Sequence, residues 1–217
     1  MSEDKLHFLE HPEVSELLNT SFPELVSESD RGAVIIGADI VDSVLYKLFD
    51  ELMSQDISHK KKKRLFDYSG PLGTFSSKND MALAVGYINK NTHDCINVLR
   101  QIRNDAAHSN FRFDIKSQQE RVREMYNLGT GVPMVVRNWA FEYLMKRFVT
   151  LLLESKGANE EPIFESLEEC LDYLTDNPDS TKKIDEKLPV HEFSLGLILL
   201  CAFIIHQKEY LLSEKRN

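Results

Sequence analysis

The chain has few of the residues that mark disulfide-rich, turn-rich or membrane-spanning proteins. Its 217 residues include 3 cysteines, 9 glycines and 7 prolines. The cysteines are odd in number, far apart and lack a CxxC pair, which excludes a disulfide framework and indicates reduced thiols in the cytoplasm. Scarce glycine and proline favour long helices over a many-turned β-sandwich. We therefore predict an all-α, cytoplasmic protein.

A targeting segment and a long apolar run are also missing. Residues 1–10 are acidic where a signal peptide is basic. The longest apolar stretch, Leu195 to Ile205, has eleven residues, whereas roughly 20 are needed to span a bilayer. No membrane association is expected.

The chain is acidic overall but basic in its middle region. The net charge of −9 argues against a protein that coats DNA without specificity. Residues 55–150, however, carry 16 Lys and Arg against 9 Asp and Glu, a local charge of +7, which leaves −16 for the rest. RNA binding therefore stays open for the basic middle region.

Apolar spacing predicts several long helices. Apolar residues recur every three or four positions over residues 33–53, after Asp30 as a helix cap, and helices are expected near 92–109, 132–154 and 193–212. Residues 157–190 hold ten acidic residues against three lysines, which indicates an exposed acidic insert. We predict one domain over residues 1–217, a single helical bundle of about five main helices (residues 30–156 and 191–213) with a short acidic insert (157–190) before the last helix.

The predicted helix at 92–109 carries the strongest candidate site. At about 100° per residue, its apolar residues share one face, and Arg100, Arg103, Asn104 and His108 share the opposite one. About 7.5 Å of helix rise separates Arg103 from His108, so both can reach one anionic group. Histidine transfers protons near neutral pH and arginine stabilises a phosphorane-like transition state. The pair suits RNA cleavage without a metal, although a solvated surface pair is the plainer alternative.

Two further groups of residues are candidates for the same surface. Asp42, on the first long helix, is expected either to orient Arg103 or to form a solvated edge. A basic block is expected either to follow an RNA backbone or to be a solvated helix end; it consists of Lys60, Lys61, Lys62, Lys63 and Arg64.

The remaining motifs predict structural roles. The turn at residues 70–77 ends one element and caps the next through Thr74 or Ser76, and it lacks the Gly-Lys-Ser/Thr of a P-loop. Trp139, Tyr143 and Phe148 lie at core spacing. The histidines outside the candidate site show no ligand spacing, so neither a metal nor a cofactor is expected.

The segment Ile102-Arg-Asn-Asp-Ala-Ala-His108 resembles the Arg-Asn-x-x-Ala-His signature of the HEPN superfamily. That superfamily consists of all-α bundles and includes many metal-independent ribonucleases and toxins. The resemblance implies that Arg103 and His108 are the catalytic pair, with Asn104 supporting them. It also implies a homodimer in which both copies of the motif face a shared cleft.

A longer stretch resembles the mannitol operon repressor (MltR-like) family. The resemblance rests on Asp30-Arg-Gly-Ala33, Gly70 to Lys78, Ala84-Val-Gly-Tyr-Ile88 and Phe111 to Asp114, in addition to the Arg103–His108 segment. Together these cover residues 30–115, about 40% of the chain. The resemblance implies a regulator that acts through a protein partner, because nothing here resembles a helix-turn-helix or a zinc finger and no direct sequence-specific DNA binding is expected.

Two functions follow from these patterns. The leading prediction is a HEPN-type, metal-independent endoribonuclease or RNA-targeting regulator that works as a homodimer. The alternative is a non-catalytic, mannitol-repressor-like transcriptional regulator, with a regulatory protein or an antitoxin as its partner.

Overall fold

The computed structural model describes residues 8–54, 56–109, 112–157 and 159–216. Within these ranges every regular element is helical and strands are absent, apart from one isolated bridge between Lys156 and Pro162. The all-α prediction is therefore confirmed. The helices are α1 (Pro12–Glu16), α2 (Phe22–Ser27), α3 (Asp30–Leu52), α4 (His59–Phe66), α5 (Phe75–Ala84), α6 (Lys90–His108), α7 (Gln119–Met125), α8 (Val132–Leu153), α9 (Leu167–Asp176) and α10 (Pro178–Arg216).

The prediction of about five main helices was wrong. The π-helical turn Leu17–Ser21 joins α1 to α2 without a break, so the described residues form nine helices. The unexpected ones are short. α4, for example, is a lysine run with no apolar periodicity, and it starts where Ser58 Oγ accepts a hydrogen bond from the backbone N–H of Lys61. Caps of this kind define short helices that apolar spacing does not reveal.

Helix α10 is the centre of the core and packs against α8, α3 and α2, and also against α7 and α6. Its buried residues include Phe193, Leu197 and Leu200. The backbone at Gly196 lies against the ring of Tyr126, so that a β-carbon there would overlap the ring. Residues 12–27, which the predicted bundle omitted, also contribute buried side chains such as Phe22 and Leu25.

The last helix begins much earlier than the sequence predicts. It was expected at about residue 191 and starts at Pro178, so that the second half of the predicted insert is its first three turns. Pro189 lies inside this helix and removes one backbone hydrogen bond. Most of residues 178–187 are exposed, whereas α9 packs on α8 through Cys170 and Leu174.

A buried charged network ties α7 to α10. The carboxylate of Glu192, fully buried, accepts hydrogen bonds from Tyr126 Oη at 2.5 Å, Arg123 Nε at 2.9 Å and Gln119 Nε2 at 3.2 Å. Burial and the neighbouring Glu192 raise the pKa of Tyr126. Because a buried carboxylate is tolerated only when it is paired, this network fixes the register of α7 on α10.

One helix is long and apolar enough, by length and composition, to cross a membrane. An 18-residue window of Pro178–Lys215 has a mean hydropathy of 2.1, and 89% of that window is buried inside the protein. Burial of this kind is what the central helix of a bundle shows.

Candidate functional site

The polar face of α6 opens onto a cleft of about 370 Å³. Its walls are α3, the loop before α5 and the start of α5. The residues that line it are Ala38, Asp39, Asp42, Tyr68, Gly73, Thr74, Phe75, Ser76, Arg100, Arg103 and Asn104. The structure therefore brings together four of the predicted site residues, namely three from α6 and Asp42 from α3. We call this the α6 cleft.

The apolar pattern of α6 explains why its arginines face the cleft. Asn89 caps the helix, its Oδ1 accepting a hydrogen bond from Thr92 N at 2.9 Å. Ile96, Leu99 and Ile102 are completely buried against the rest of the bundle. Arg100, Arg103 and Asn104 follow this stripe by one or two positions, at about 100° per residue, and they lie half-buried in the cleft wall.

His108 lies elsewhere. It is the last residue of α6, it is exposed, and it is not among the residues that line the α6 cleft. Ser109 follows it, and the carbonyl of Ser109 accepts a hydrogen bond from Arg31 Nη2 at 2.9 Å. Arg31 lines a second cleft of about 870 Å³, together with residues such as Asp30 and Arg112. The two members of the predicted pair thus lie on the same helix, but only Arg103 lines the α6 cleft, and His108 lies outside it at the C-terminal end of α6.

In the described residues neither arginine of the α6 cleft forms an ion pair with a carboxylate. Among the described residues, the guanidinium of Arg103 has no ion pair or hydrogen bond within the chain. Arg100 Nε is buried and likewise lacks a hydrogen-bond partner in that part of the chain. Buried donors are normally satisfied, and a guanidinium matches the geometry of phosphate oxygens. These two side chains therefore have donors available for an anionic ligand.

Asp42 does not orient Arg103 as one prediction had it. In the described residues its ion-pair partner is Lys78, whose Nζ lies 3.0 Å from Asp42 Oδ1. The Lys78 side chain is only 6% exposed, and a buried ammonium requires an anion beside it. Burial raises the pKa of Asp42, and the hydrogen bond and charge of Lys78 oppose that rise. With Asp42 neutralised by Lys78, only Asp39 offsets the charge of the two arginines.

The loop before α5 exposes the side chain of Tyr68 to solvent. Backbone hydrogen bonds from Gly70 N to Asp67 O (2.6 Å) and from Leu72 N to Leu65 O (2.9 Å) fold the loop tightly onto the end of α4. A β-carbon at Gly70 would overlap the carbonyl of Arg64. Tyr68 is 89% exposed on this loop and lines the α6 cleft.

The cap predicted at Thr74 is confirmed. Thr74 Oγ1 accepts a hydrogen bond from Ser77 N at 3.1 Å, and Ser77 Oγ accepts one from Thr74 N at 3.0 Å. This reciprocal pair is a capping box, which starts α5 beside the α6 cleft. The structural interpretation of the turn at residues 70–77 therefore holds.

Sequence reasoning missed a histidine–carboxylate cluster beside this helix start. His93 Nε2 lies 2.9 Å from Asp80 Oδ1, and His93 Nδ1 lies 3.3 Å from Asp94 Oδ1. Ser76 Oγ, in turn, donates to Asp80 Oδ2 at 3.4 Å. His93 and Asp94 lie on α6 and Asp80 lies on α5, so only the packing of α5 on α6 brings them together. The cluster reaches the edge of the α6 cleft through Ser76.

The basic block forms α4, and its members have different surroundings. Lys62 is held by Asp50, through an ion pair at 2.5 Å and a hydrogen bond to its carbonyl at 3.0 Å. Lys61 and Arg64 line a pocket of about 430 Å³ on the Asp67–Pro71 loop. Lys60 and Lys63 are exposed. The block therefore supplies two lysines to solvent, and one lysine and one arginine to a pocket that shares its loop with the α6 cleft.

One group of metal-ligating side chains occurs in the described residues, formed by His11, Glu13 and Glu209. His11 Nδ1 accepts a hydrogen bond from Glu13 N at 3.3 Å, which leaves Nε2 carrying the proton in the neutral ring. Lys208 Nζ already contacts Glu13 Oε1 at 2.6 Å. The donor set is thus arranged around an ammonium, and it does not favour a metal ion.

The aromatic residues of α8 are less buried than their spacing predicts. Phe148 packs in the small core between α8 and α9, in agreement with the prediction. Trp139 is 41% exposed and Tyr143 is 44% exposed. Tyr143 nevertheless packs edge-to-face on Phe22, with ring centroids 4.8 Å apart. The prediction of core packing was therefore wrong for Trp139 and held in part for Tyr143.

Fold and site together define an all-α bundle with an arginine-lined cleft. Comparisons with protein-family models, with curated proteins and with solved structures find no match to this chain. The resemblance to the HEPN superfamily and to the mannitol operon repressor family therefore stays a prediction from the residues. Phe111, which opens the last segment of that resemblance, lies outside the described residues, as do residues 1–7 with part of the acidic N-terminus.

Proposed function

We propose that this chain is a HEPN-type, metal-independent endoribonuclease that binds the phosphate backbone of RNA in the α6 cleft. The observation that carries the proposal is the set of guanidinium donors of the half-buried Arg103 and Arg100 in a concave site, with no carboxylate paired with Arg103 among the described residues. A guanidinium pair of this kind favours a phosphate diester over an uncharged ligand.

The chemistry needs an acid–base group and a stabiliser of negative charge. Attack by the ribose 2′-oxygen forms an O2′–P bond and breaks the P–O5′ bond, which leaves a 2′,3′-cyclic phosphate and a 5′-hydroxyl. His108 takes the proton from the 2′-hydroxyl while water gives a proton to the departing O5′; the reverse division, with water as the base and His108 as the acid, balances equally. Arg103 stabilises the charge on the phosphorane, and Asn104 helps to orient the phosphate. The exposed position of His108 leaves room for a strand to pass over the end of α6.

Arg100 and the basic helix α4 extend the phosphate-binding surface. Arg100 lines the α6 cleft, and the pocket formed by Lys61 and Arg64 uses the same loop. Lys78, by neutralising Asp42, keeps the cleft positive enough to accept a phosphate. We further propose that the protein works as a cytoplasmic homodimer.

The proposal is tested by incubating the purified protein with total RNA in EDTA. Wild type is compared with His108→Ala and with His206→Ala, a matched control because His206 is also an exposed histidine at a distant point of the bundle, on α10. Cleavage is expected for the wild type and the control, and a loss of about a hundredfold or more for His108→Ala. Equal cleavage by all three proteins would contradict the assignment of His108.

A second function is favoured by one specific observation. Because His108 does not line the α6 cleft, the cleft can bind an anion without any acid–base group within it. We propose as the alternative a non-catalytic regulator of the mannitol-repressor-like kind, which acts through a regulatory protein or an antitoxin. In that case the RNA stays intact with every variant, and Arg103→Ala changes only the binding of the partner.

A further inference from the structure

Helix α8 carries an unusual share of the exposed apolar surface. Seventeen large hydrophobic residues are exposed in the described part of the chain, and seven of them belong to α8. The cleft face of α6 has none of them. Monomeric proteins rarely expose large apolar side chains along one helix, and such a surface usually marks an interaction site.

Three of these apolar residues share one side of α8 with two charged residues. Four residues of α8 are buried, namely Val136, Ala140 and Leu144, and also Val149, which lies in the small core shared with α9. A second set falls within an arc of about 60° on the other side, at about 100° per residue, and spans about 27 Å at 1.5 Å per residue. We call it the α8 stripe; it consists of Val135, Trp139, Glu142, Lys146 and Leu153, all of them exposed.

The α8 stripe is complementary to a second copy of itself when the two helices run antiparallel. Two antiparallel copies centred on Leu144 place residue 135 beside 153, residue 139 beside 149 and residue 142 beside 146. Val135 then meets Leu153 of the second copy, and Trp139 lies at the level of the exposed Thr150. Glu142 meets Lys146 twice, once on each side of the two-fold axis. The spacing of 4, 3 and 4 between positions 135, 139, 142 and 146 is that of a helix–helix seam.

We propose that the α8 stripe is the interface through which two copies of this chain pair in an antiparallel manner. Charge selects both the occupant and the direction. In the antiparallel pair each Glu142 faces a Lys146, whereas a parallel pair sets glutamate against glutamate and lysine against lysine. In the described residues neither side chain has an ion pair within its own chain. A two-fold pair uses the same patch on both copies, which is the symmetry that this stripe has.

The position of the interface has a consequence for the α6 cleft. Helix α8 packs on α10 and α9, and α10 lies between α8 and α6. The antiparallel pair therefore leaves one α6 cleft in each copy, which differs from the shared cleft that the resemblance to the HEPN superfamily implies. Self-association and ligand binding are then separable properties, and this inference does not depend on the ribonuclease proposal.

Charge reversal tests the pairing directly. Sedimentation velocity over a dilution series is compared for wild type, Glu142→Lys, Lys146→Glu and the double variant that exchanges both charges. Each single reversal is expected to raise the dimer dissociation constant about tenfold, because two attractive pairs become two repulsive ones. The double variant is expected to restore the wild-type constant. Arg137→Glu, a reversal on α8 outside the stripe, is the matched control and is expected to leave the constant unchanged.

The single tryptophan gives a second readout on the unmodified chain. Trp139 is 41% exposed in one copy, so its fluorescence is expected to shift to shorter wavelength as concentration rises. A wild-type protein that stays monomeric throughout the series overturns the proposal. So does a dimer that both single reversals leave intact, or one that the double variant fails to restore, because another surface must then hold the two copies together.

Discussion

The α6 cleft and the α8 stripe lie on two sides of α10 and leave opposite kinds of group unsatisfied. The cleft is concave and holds guanidinium donors without partners in the described chain, around a buried Lys78–Asp42 pair. The stripe is convex and exposes Trp139, Val135 and Leu153 beside one acid and one base. Unsatisfied charge calls for an anionic ligand, whereas unsatisfied apolar surface calls for another apolar surface. The two sides therefore point to different partners.

Both sides depend on α10, and breaking its buried network is expected to have the largest effect. Glu192→Leu leaves the buried Tyr126 Oη and the half-buried Arg123 without their acceptor. The free energy of unfolding is expected to fall by about 3 kcal/mol, as measured by urea denaturation. Glu186→Leu, at an exposed position on the same helix, serves as the control, with a change below about 0.5 kcal/mol. Equal losses of stability in the two variants would show that the Glu192 network does not stabilise the core between the α6 cleft and the α8 stripe.

Lys78→Met is expected to change the α6 cleft and not the α8 stripe. The change removes a buried ammonium that neutralises Asp42, and the expected loss of stability is about 2 kcal/mol. Asp42 then competes for the cleft arginines, so RNA affinity falls while the dimer dissociation constant stays the same. Lys90→Met, which removes a surface pair with Asp94, is the control and should change neither property. A change in the dimer dissociation constant of Lys78→Met would contradict the view that RNA binding and self-association are independent.

Tyr68→Ala acts on the cleft alone. The ring is 89% exposed on a tightly bonded loop, so its removal should not alter stability. Stacking of an RNA base on an aromatic ring contributes about 1–3 kcal/mol, and single-stranded RNA is expected to bind about tenfold more weakly. Tyr210→Ala, on the C-terminal part of α10, is the matched exposed tyrosine. Fluorescence anisotropy with a labelled oligonucleotide measures the difference, and identical affinities for the two variants would remove Tyr68 from the binding surface.

The smallest effect is expected for the pH dependence of stability, through a buried histidine that packs against α8. His191 is buried beside Phe22 and Tyr143. Burial lowers its pKa from 6.5, despite the hydrogen bond to the carbonyl of Lys187, and the charges of Arg147 and Lys187 lower it further. The unfolded chain therefore binds more protons, and stability falls as the pH drops below about 6.5. His191→Phe should flatten this part of the urea-unfolding profile, and an unchanged slope would assign the pH dependence to other groups.

Apolar spacing predicted the long helices α3, α6 and α8 closely, because each buries one continuous stripe. It could not predict α4, whose lysines have no apolar period and whose start is set by Ser58. The first turns of α10 were not predicted, because Pro189 and the acidic residues before it are typical of an exposed loop. At the start of α3, Asp30 was expected as the cap, but Ser29 Oγ accepts the hydrogen bond from Gly32 N. Local signals thus locate helix interiors better than helix ends.

The candidate site was predictable in part for the same reason. Helical periodicity alone places Arg100, Arg103 and Asn104 on one face, and the cleft lies over that face. The partner of Asp42 and the cluster around His93 depend on how α5 packs on α3 and α6, and no spacing within a single helix contains that information. The open position of His108 follows from the exact end of α6, which is also a tertiary property.

The proposed ribonuclease site is tested most directly with a synthetic single-stranded RNA and its 2′-deoxy counterpart, both in EDTA. We expect that the RNA is cleaved to 2′,3′-cyclic phosphate ends, that the deoxy strand stays intact, and that Arg103→Ala slows cleavage about a hundredfold or more. Arg137→Ala, on α8, should cleave like the wild type. Cleavage of the deoxy strand, or undiminished cleavage by Arg103→Ala, would contradict the claim that the α6 cleft is a ribonuclease site.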